Sequence, residues 1–309
     1  MTEPLLECVP NVSEGRDRAI IASLGDAIES AGARVLDVHA DVDHNRSVFT
    51  FIGTLATAEA AALALCRLAV ERLDLRTHRG VHPRIGAVDV IPFVPMRGAR
   101  MADAVRAAHR IGAMLGRDLQ VPVFYYGEAA LVPERRELPA LRRGQFEGLA
   151  AGMRAAGGAP DAGPRAPHPT AGATAIGARG ILIAFNAVLD SDALAVARDI
   201  ARSVRESSGG LSGVRALGVP LASRGRVQVT LNLLNYRLTP IAAVVSAIEA
   251  EAARRGVPVL EYELVGCAPD EAFTGVDRTR VRMSPTQLIE VALLGADSTV
   301  VPRVASRRA

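Results

Sequence analysis

Apolar residues recur along this chain in two rhythms, one of period two and one close to period 3.6, and their succession predicts its elements. An apolar run over 4–9 reads as a strand, halted at Pro10. A polar turn over 11–16 leads into a helix over 17–31 with the stripe Ala19, Ile20, Leu24, Ala27 and Ile28, and Gly32 stops it. Residues 35–38 and 48–52 read as strands around a polar cluster, 39–46. An alanine-rich helix covers 55–73 and a strand covers 87–94. A helix over 101–115, a strand over 121–126 and helical spacing over 138–154, broken near Gly144, follow.

The second half is simpler. Residues 180–185 read as a strand, and Asp190-Ser191 cap a helix reaching about Val204. Its expected buried positions are Ala193, Val196, Ala197, Ile200 and Val204. Strands over 214–219 and 226–231, a helix over 240–254 with Val244, Val245 and Ile248 apolar, and a strand over 257–264 complete the order βαββαβ. That order gives an antiparallel or mixed sheet with helices on one face. The first half repeats it, with an insertion over 101–172. The fold class is therefore α+β, two tandem βαββαβ-like subdomains with helices on the outer face of each sheet. The expected division is 1–178, 179–298 and a flexible tail, 299–309, with a last helix starting at Ser284 and running through Leu294. The uncovered sheet faces pack together or line a cleft.

Composition narrows the chemistry. Hydrophobic residues make up 49% of the 309, but aromatics only 4%, so aliphatic side chains fill the core. The net charge is +3 and basic residues are scattered, which argues against nucleic acid and suits small anionic substrates. All 36 basic residues are arginine. No lysine is present for a Schiff base or a Walker A loop. Arginine is the better fork for carboxylates. Cys8, Cys66 and Cys267 are far apart and odd in number, so neither a zinc pair nor a disulfide framework is expected. The N-terminus does not read as a signal peptide, and the longest apolar run is too short to span a bilayer. A cytoplasmic enzyme is expected.

The densest chemistry lies over 77–89, with two of the six histidines, His78 and His82, beside Arg79, Arg84, Gly80 and Gly86. Histidine titrates nearest neutrality and is the default proton carrier. Pro83 restricts His82 to extended backbone. His78 and His82 have the i, i+4 spacing of helical metal ligands, but Gly80 and Pro83 oppose a helix there, and no HExxH motif is present. A metal hydrolase using His39, Asp41, His44, His78 and His82 is kept as a rival reading, with no metal as the expectation. Ser13-Glu14 read equally as a helix cap, Asn11 as a turn residue, and Asn186 and Asn232 as loop-satisfying amides or ligand donors. His109 reads as surface. The Gly- and Pro-rich segment 155–172 reads either as a linker or as a binding loop.

Several long motifs resemble one family. They are Glu7-Cys8-Val9-Pro10-Asn11-Val12-Ser13-Glu14-Gly15, Asp43-His44-Asn45-Arg46-Ser47-Val48-Phe49-Thr50-Phe51, the run 78–95, Tyr126-Gly127-Glu128-Ala129-Ala130, the run 163–179 and Leu264-Val265-Gly266. Together they resemble the glutamate formimidoyltransferases, over nearly the whole chain. In animals the domain that it resembles is the first half of a bifunctional protein with a cyclodeaminase, and that second domain is not expected within these 309 residues.

The resemblance implies transfer of a formimidoyl group from N-formimidoyl-L-glutamate to N5 of tetrahydrofolate, in histidine breakdown, by a homodimer. It implies His82 as the acid/base. It also implies a folate-binding loop made of Gly163, Pro164, Arg165, Ala166, Pro167, His168, Pro169, Thr170, Ala171 and Gly172. Residue type and place add Asn11, Glu14, His39, Asp41, Asn45, Arg46, Arg84, Arg179 and Asn186 as candidate substrate contacts, the arginines for carboxylates and the acids for the cationic amidinium. Tetrahydrofolate is a co-substrate on this reading. Four positions depart from the family pattern, Val81, His39, Val188 and Asn235, and they bear on the amino-acid donor. Another N-formimidoyl amino acid, such as N-formimidoylglycine, is the alternative.

Overall fold

A computed structural model describes residues 3–296 of the chain, so the tail expected over 299–309 lies outside the described residues. The first unit runs β1 (Leu5–Cys8), β2 (Asn11–Val12), α1 (Arg18–Ser30), β3 (Arg34–Asp41), β4 (Arg46–Thr54), α2 (Leu55–Arg72), β5 (Val88–Pro95), α3 (Met101–Asp118), β6 (Val123–Gly127), α4 (Leu138–Leu141), α5 (Gln145–Arg154) and β7 (Thr174–Ala178). The second runs β8 (Ile183–Leu189), α6 (Leu194–Val204), β9 (Val214–Leu221), β10 (Arg226–Leu233), α7 (Ile241–Arg254), β11 (Val259–Val265), β12 (Val281–Arg282) and α8 (Ile289–Ala296).

Pro10 divides one strand into β1 and β2, and both halves pair with β4 and β5. β3 flanks β4, while β7 and then β6 add parallel strands beyond β5. The second sheet has the order β12-β11-β8-β10-β9. Its four main strands and two helices have the split-βαβ connectivity of the first unit.

Alternation along the strands sorts their residues between two faces. Phe49, Phe51 and Phe93 sit in the core under α1, α2 and α3, fully buried, and each stabilises by about 2 kcal/mol. In the second unit Phe185, Val229, Leu231, Tyr262 and Leu264 pack against α6 and α7. No helix among the described residues is long and apolar enough to cross a membrane.

Several local expectations are corrected. Strand β7 has no signal in the sequence pattern: Thr-Ala-Ile-Gly-Ala is poor in β-formers, and burial on both faces removes its alternation. The strand placed over 180–185 begins at Ile183 and extends to Leu189. Helix α6 starts late, at Leu194, and leaves Ala193 exposed. Asp17, not Ser13-Glu14, caps α1 by accepting from the N–H groups of Ala19 and Ile20. Ser284 opens a 3-10 turn ahead of α8. His109 is half-buried and donates from Nε2 to the Ala129 carbonyl, 2.9 Å away. Helices are also not confined to the outer face. Leu149 and Met153 of α5 pack on Val90, Phe124, Tyr126 and Ala175, on the side of the first sheet opposite α3.

The two uncovered faces lie against each other. Leu5, Leu36 and Ile52 form one apolar cluster with Cys267, Ile289 and Ala292. The Gly266 N–H donates to Asp37 at 3.1 Å. At two exposed margins Ser223 donates to Asp43 at 2.7 Å, and Arg215 pairs with Glu137. Between these contacts the first sheet presents Glu7, Asn11, Arg46 and Thr50, and the second presents Asn186, Gln228 and Glu263, almost all buried.

Candidate active site

Three loops meet at the end of the first sheet where β4 and β5 begin. One leaves β2, one joins β3 to β4, and one carries residues 78–82. They lie unusually close because two glycines have no side chain. A Cβ at Gly15 would stand 2.2 Å from the Asp41 carbonyl, and one at Gly80 would stand 2.2 Å from the His44 carbonyl. Asn45 stitches the three together. Its Oδ1 accepts from the Gly15 N–H at 3.0 Å, its Nδ2 donates to the Arg79 carbonyl at 3.0 Å, and its own carbonyl accepts from His78 Nε2 at 2.8 Å.

His82 sits at the centre. Its Nδ1 lies 2.7 Å from the Pro83 carbonyl, which can only accept, so Nδ1 carries the proton. Its Nε2 is therefore the lone pair, and Arg46 donates to it while also donating to Asn11 Oδ1. Burial, then the positive charges of Arg46 and Arg142, hold the imidazole well below its usual pKa. It is a neutral base at neutral pH. Burial also brings Arg46 down to about 9, with Arg142 acting in the same direction and Asp89 and Asp41 opposing.

The other candidates take distinct places. His78 is spent on structure, with Nε2 on Asn45 and Nδ1 accepting from Arg84 at 3.2 Å. Arg84 is buried and forks onto Glu147 at 2.7 and 2.8 Å, which ties the 78–82 loop to α5. Glu14 accepts from the N–H groups of Arg16 and Asp17. Asp41 accepts from those of Asp43 and His44. His39 faces Glu263 across the cleft at 3.8 Å, and Glu263 also accepts from Asn186 at 3.2 Å. Arg179 is half-buried at the end of β7, close enough to Glu7 to draw its carboxyl down, although burial dominates and raises it to about 7.

The segment 155–172 is ordered. Asp161 accepts from the Tyr125 N–H and pairs with Arg135. His168 Nδ1 accepts from the Ala171 N–H at 3.0 Å, and His168 and Gly172 exchange backbone hydrogen bonds. The Ala171 carbonyl accepts from Ala87, which brings the loop to the same sheet end as His82, while Arg165 is exposed. Of the four departures, Val81 is exposed, Val188 is buried on the cleft face, and Asn235 caps a turn by accepting from Arg237 and Leu238.

The His44 ring lies 5.8 Å from that of His82, although sequence reasoning gave His44 a role only in the rival metal reading. The Asp41-x-x-His44 spacing was its available signal. Arg142, paired with Asp89 beneath the base, has no local signal, because α4 brings it from a distant part of the chain. Among the described residues no three histidine, cysteine, aspartate or glutamate side chains gather as a metal site requires.

A neutral imidazole and buried guanidinia between two subdomains suit proton-coupled group transfer on small polar substrates. Residues 5–179 match the profile of the formiminotransferase domain, N-terminal subdomain, and residues 184–290 match that of the formiminotransferase domain. The chain belongs to the formiminotransferase family. It is 39% identical over 296 residues to a glutamate formimidoyltransferase of Streptococcus pyogenes, covering 94% of this chain and 99% of that one. It is 42% identical over 283 residues to that of Thermoplasma acidophilum, covering 91% and 93%. A formimidoyltransferase-cyclodeaminase of Rattus norvegicus is 40% identical over 276 residues, which cover 87% of this chain and 51% of the relative.

Proposed function

We propose that this enzyme transfers a formimidoyl group from N-formimidoyl-L-glutamate to N5 of tetrahydrofolate, giving 5-formimidoyltetrahydrofolate and L-glutamate. The carrying observation is His82, a neutral imidazole with its Nδ1–H fixed on Pro83 and its Nε2 lone pair turned to Arg46. N5 attacks the formimidoyl carbon and forms a tetrahedral diamine. The N5 proton must leave and the glutamate nitrogen must gain one before the C–N bond breaks, and an imidazole can do both in turn. Arg46 and Asn11 hold the base and are placed to move onto the substrate. Arg179 suits a substrate carboxylate, and Asp41 and Glu14 suit the amidinium charge. The loop 163–172, at the same end of the sheet, is the folate-binding segment on this reading. The subdomain boundary is placed between 178 and 179, the enzyme in the cytoplasm, and the working unit as a homodimer that needs no metal, nucleic acid or membrane.

His82→Asn is the test. Turnover, followed by absorbance of the 5-formimidoyl product, is expected to fall at least about 100-fold with tetrahydrofolate binding kept. Survival near wild-type rate removes His82 from the chemistry. The same assay with N-formimidoylglycine addresses the donor, because exposed Val81 and the His39–Glu263 contact alter the walls of the cleft. Sedimentation of the purified protein reads the dimer.

A further inference from the structure

His82 has a neighbour whose chemistry is unassigned. The rings of His44 and His82 lie 5.8 Å apart, centroid to centroid. The Nε2 atom of His44 is buried and has no hydrogen-bond partner. Its Nδ1 faces Asp41 Oδ2 at 3.9 Å, and Asp41 is held in place by two backbone N–H groups at 2.8 Å. An unpaired buried ring nitrogen is costly, and a protein tolerates one where a ligand supplies the partner. The His82 lone pair, by contrast, is already covered by Arg46. The cleft thus holds two imidazoles in different states, one capped and one open.

The reaction itself has two proton transfers at different nitrogens. We propose that His44, backed by Asp41, takes over the acid half of this exchange and protonates the departing nitrogen, which leaves His82 only the base half, receipt of the N5 proton. The proposal rests on the formimidoyl-transfer reading above. In the tetrahedral intermediate His82 Nε2 takes the proton from N5. The Nε2–H of a protonated His44 passes to the glutamate nitrogen. The C–N bond to glutamate breaks with its electron pair going to that nitrogen, and the lone pair of the retained amino nitrogen forms the new C=N bond. Charge and atoms balance: one proton has left N5 and one has joined the amine, leaving His82 protonated and His44 neutral. The proton returns across the 5.8 Å between the rings, by way of solvent, before the next turnover.

The charges around the pair divide the roles in the same direction. His82 faces Arg46, Arg142 and His44, all of which disfavour its protonation. Burial, the largest influence on His44, lowers its pKa, while Asp41 and Asp43 favour protonation and Arg46 and His39 oppose it. Of the two rings, His44 is the less strongly disfavoured as the proton carrier. Pairs of groups whose surroundings drive them apart in this way mark acid and base.

The experiment is the pH profile of kcat for N-formimidoyl-L-glutamate and tetrahydrofolate. The wild-type profile is expected to be bell-shaped, its alkaline limb reporting loss of the His44 proton. In His44→Gln, kcat falls about 100-fold with KM little changed, and the alkaline limb disappears. In Asp41→Asn, the limb moves to lower pH, because the carboxylate that favoured the imidazolium is gone. An unchanged alkaline limb in both variants overturns the proposal. If wild type makes no 5-formimidoyltetrahydrofolate at all, the functional reading fails instead.

Discussion

His82 owes its character to neighbours more than to its own place in the chain. Burial alone would make it a weak base, and the nearby guanidinia of Arg46 and Arg142 push it further down. Replacing Arg46 by Gln removes one of these positive charges, so the His82 pKa is expected to rise toward 6.5. Titration of the ring by NMR reads that shift directly, and the acid limb of the activity profile should move up with it. Glu7 shows the opposite case. Burial raises its carboxyl to about 7, so the folded protein holds a proton there that the unfolded chain releases near 4.5. Stability from this group is present at low pH and lost as pH rises through about 7. His44, His78 and His82 act in reverse, because their lowered pKa values make the folded state refuse protons that the unfolded chain binds below about 6.5. Glu7→Gln removes one side of this balance. The variant is expected to gain more stability at pH 8 than at pH 5, measured by urea midpoints; an equal gain at both would contradict a raised carboxyl.

Among the elements, the loops decide the site and glycine decides the loops. The 78–82 segment rests on the β3–β4 hairpin only because Gly80 has no Cβ. Gly80→Ala must move that segment away from His44, since the obstacle is backbone rather than a flexible side chain. A displacement near 1 Å at a catalytic group costs about 100-fold in rate. We expect kcat to fall on that order while the melting temperature drops by only a few degrees, the loop being outside the main core. A melting temperature lost together with activity would assign Gly80 to folding. The strands behind these loops were legible in sequence wherever one face is buried and the other polar, as in β10, where Val227, Val229 and Leu231 alternate with Gln228 and Thr230. β7 was not legible, for the converse reason: all five of its residues are buried. Composition left the segment 155–172 open between a linker and a binding loop, because its backbone hydrogen bonds go to distant partners and composition does not record partners.

At the scale of the whole molecule, the two subdomains close a cleft with contacts of unequal strength. The apolar cluster around Leu36, Ile52, Cys267 and Ile289 is buried and sets the join. Asp43–Ser223 and Arg215–Glu137 are exposed and each contributes little to stability. We expect them to bear on opening instead. Asp43→Ala combined with Arg215→Ala is expected to leave the melting temperature within a few degrees, speed hydrogen exchange in the β9–β10 hairpin, and raise KM more than it lowers kcat. Slower exchange there, or a loss confined to kcat, would remove these contacts from any gating role.

Sequence by itself determined the two βαββαβ units, the helical and strand periods within them, and the residue types proposed for the chemistry, above all His82 beside Pro83. These are local properties, set by spacing along the chain and by the backbone limits of Pro and Gly. Tertiary structure alone decided which histidine has a capped lone pair and which an open one. It also buried Arg46 over Asp89 and Arg142, turned Arg84 from the substrate toward Glu147, and brought His39 to Glu263. Those outcomes depend on desolvation and on charges a few ångströms apart across strands far separated in sequence, and no local pattern encodes either.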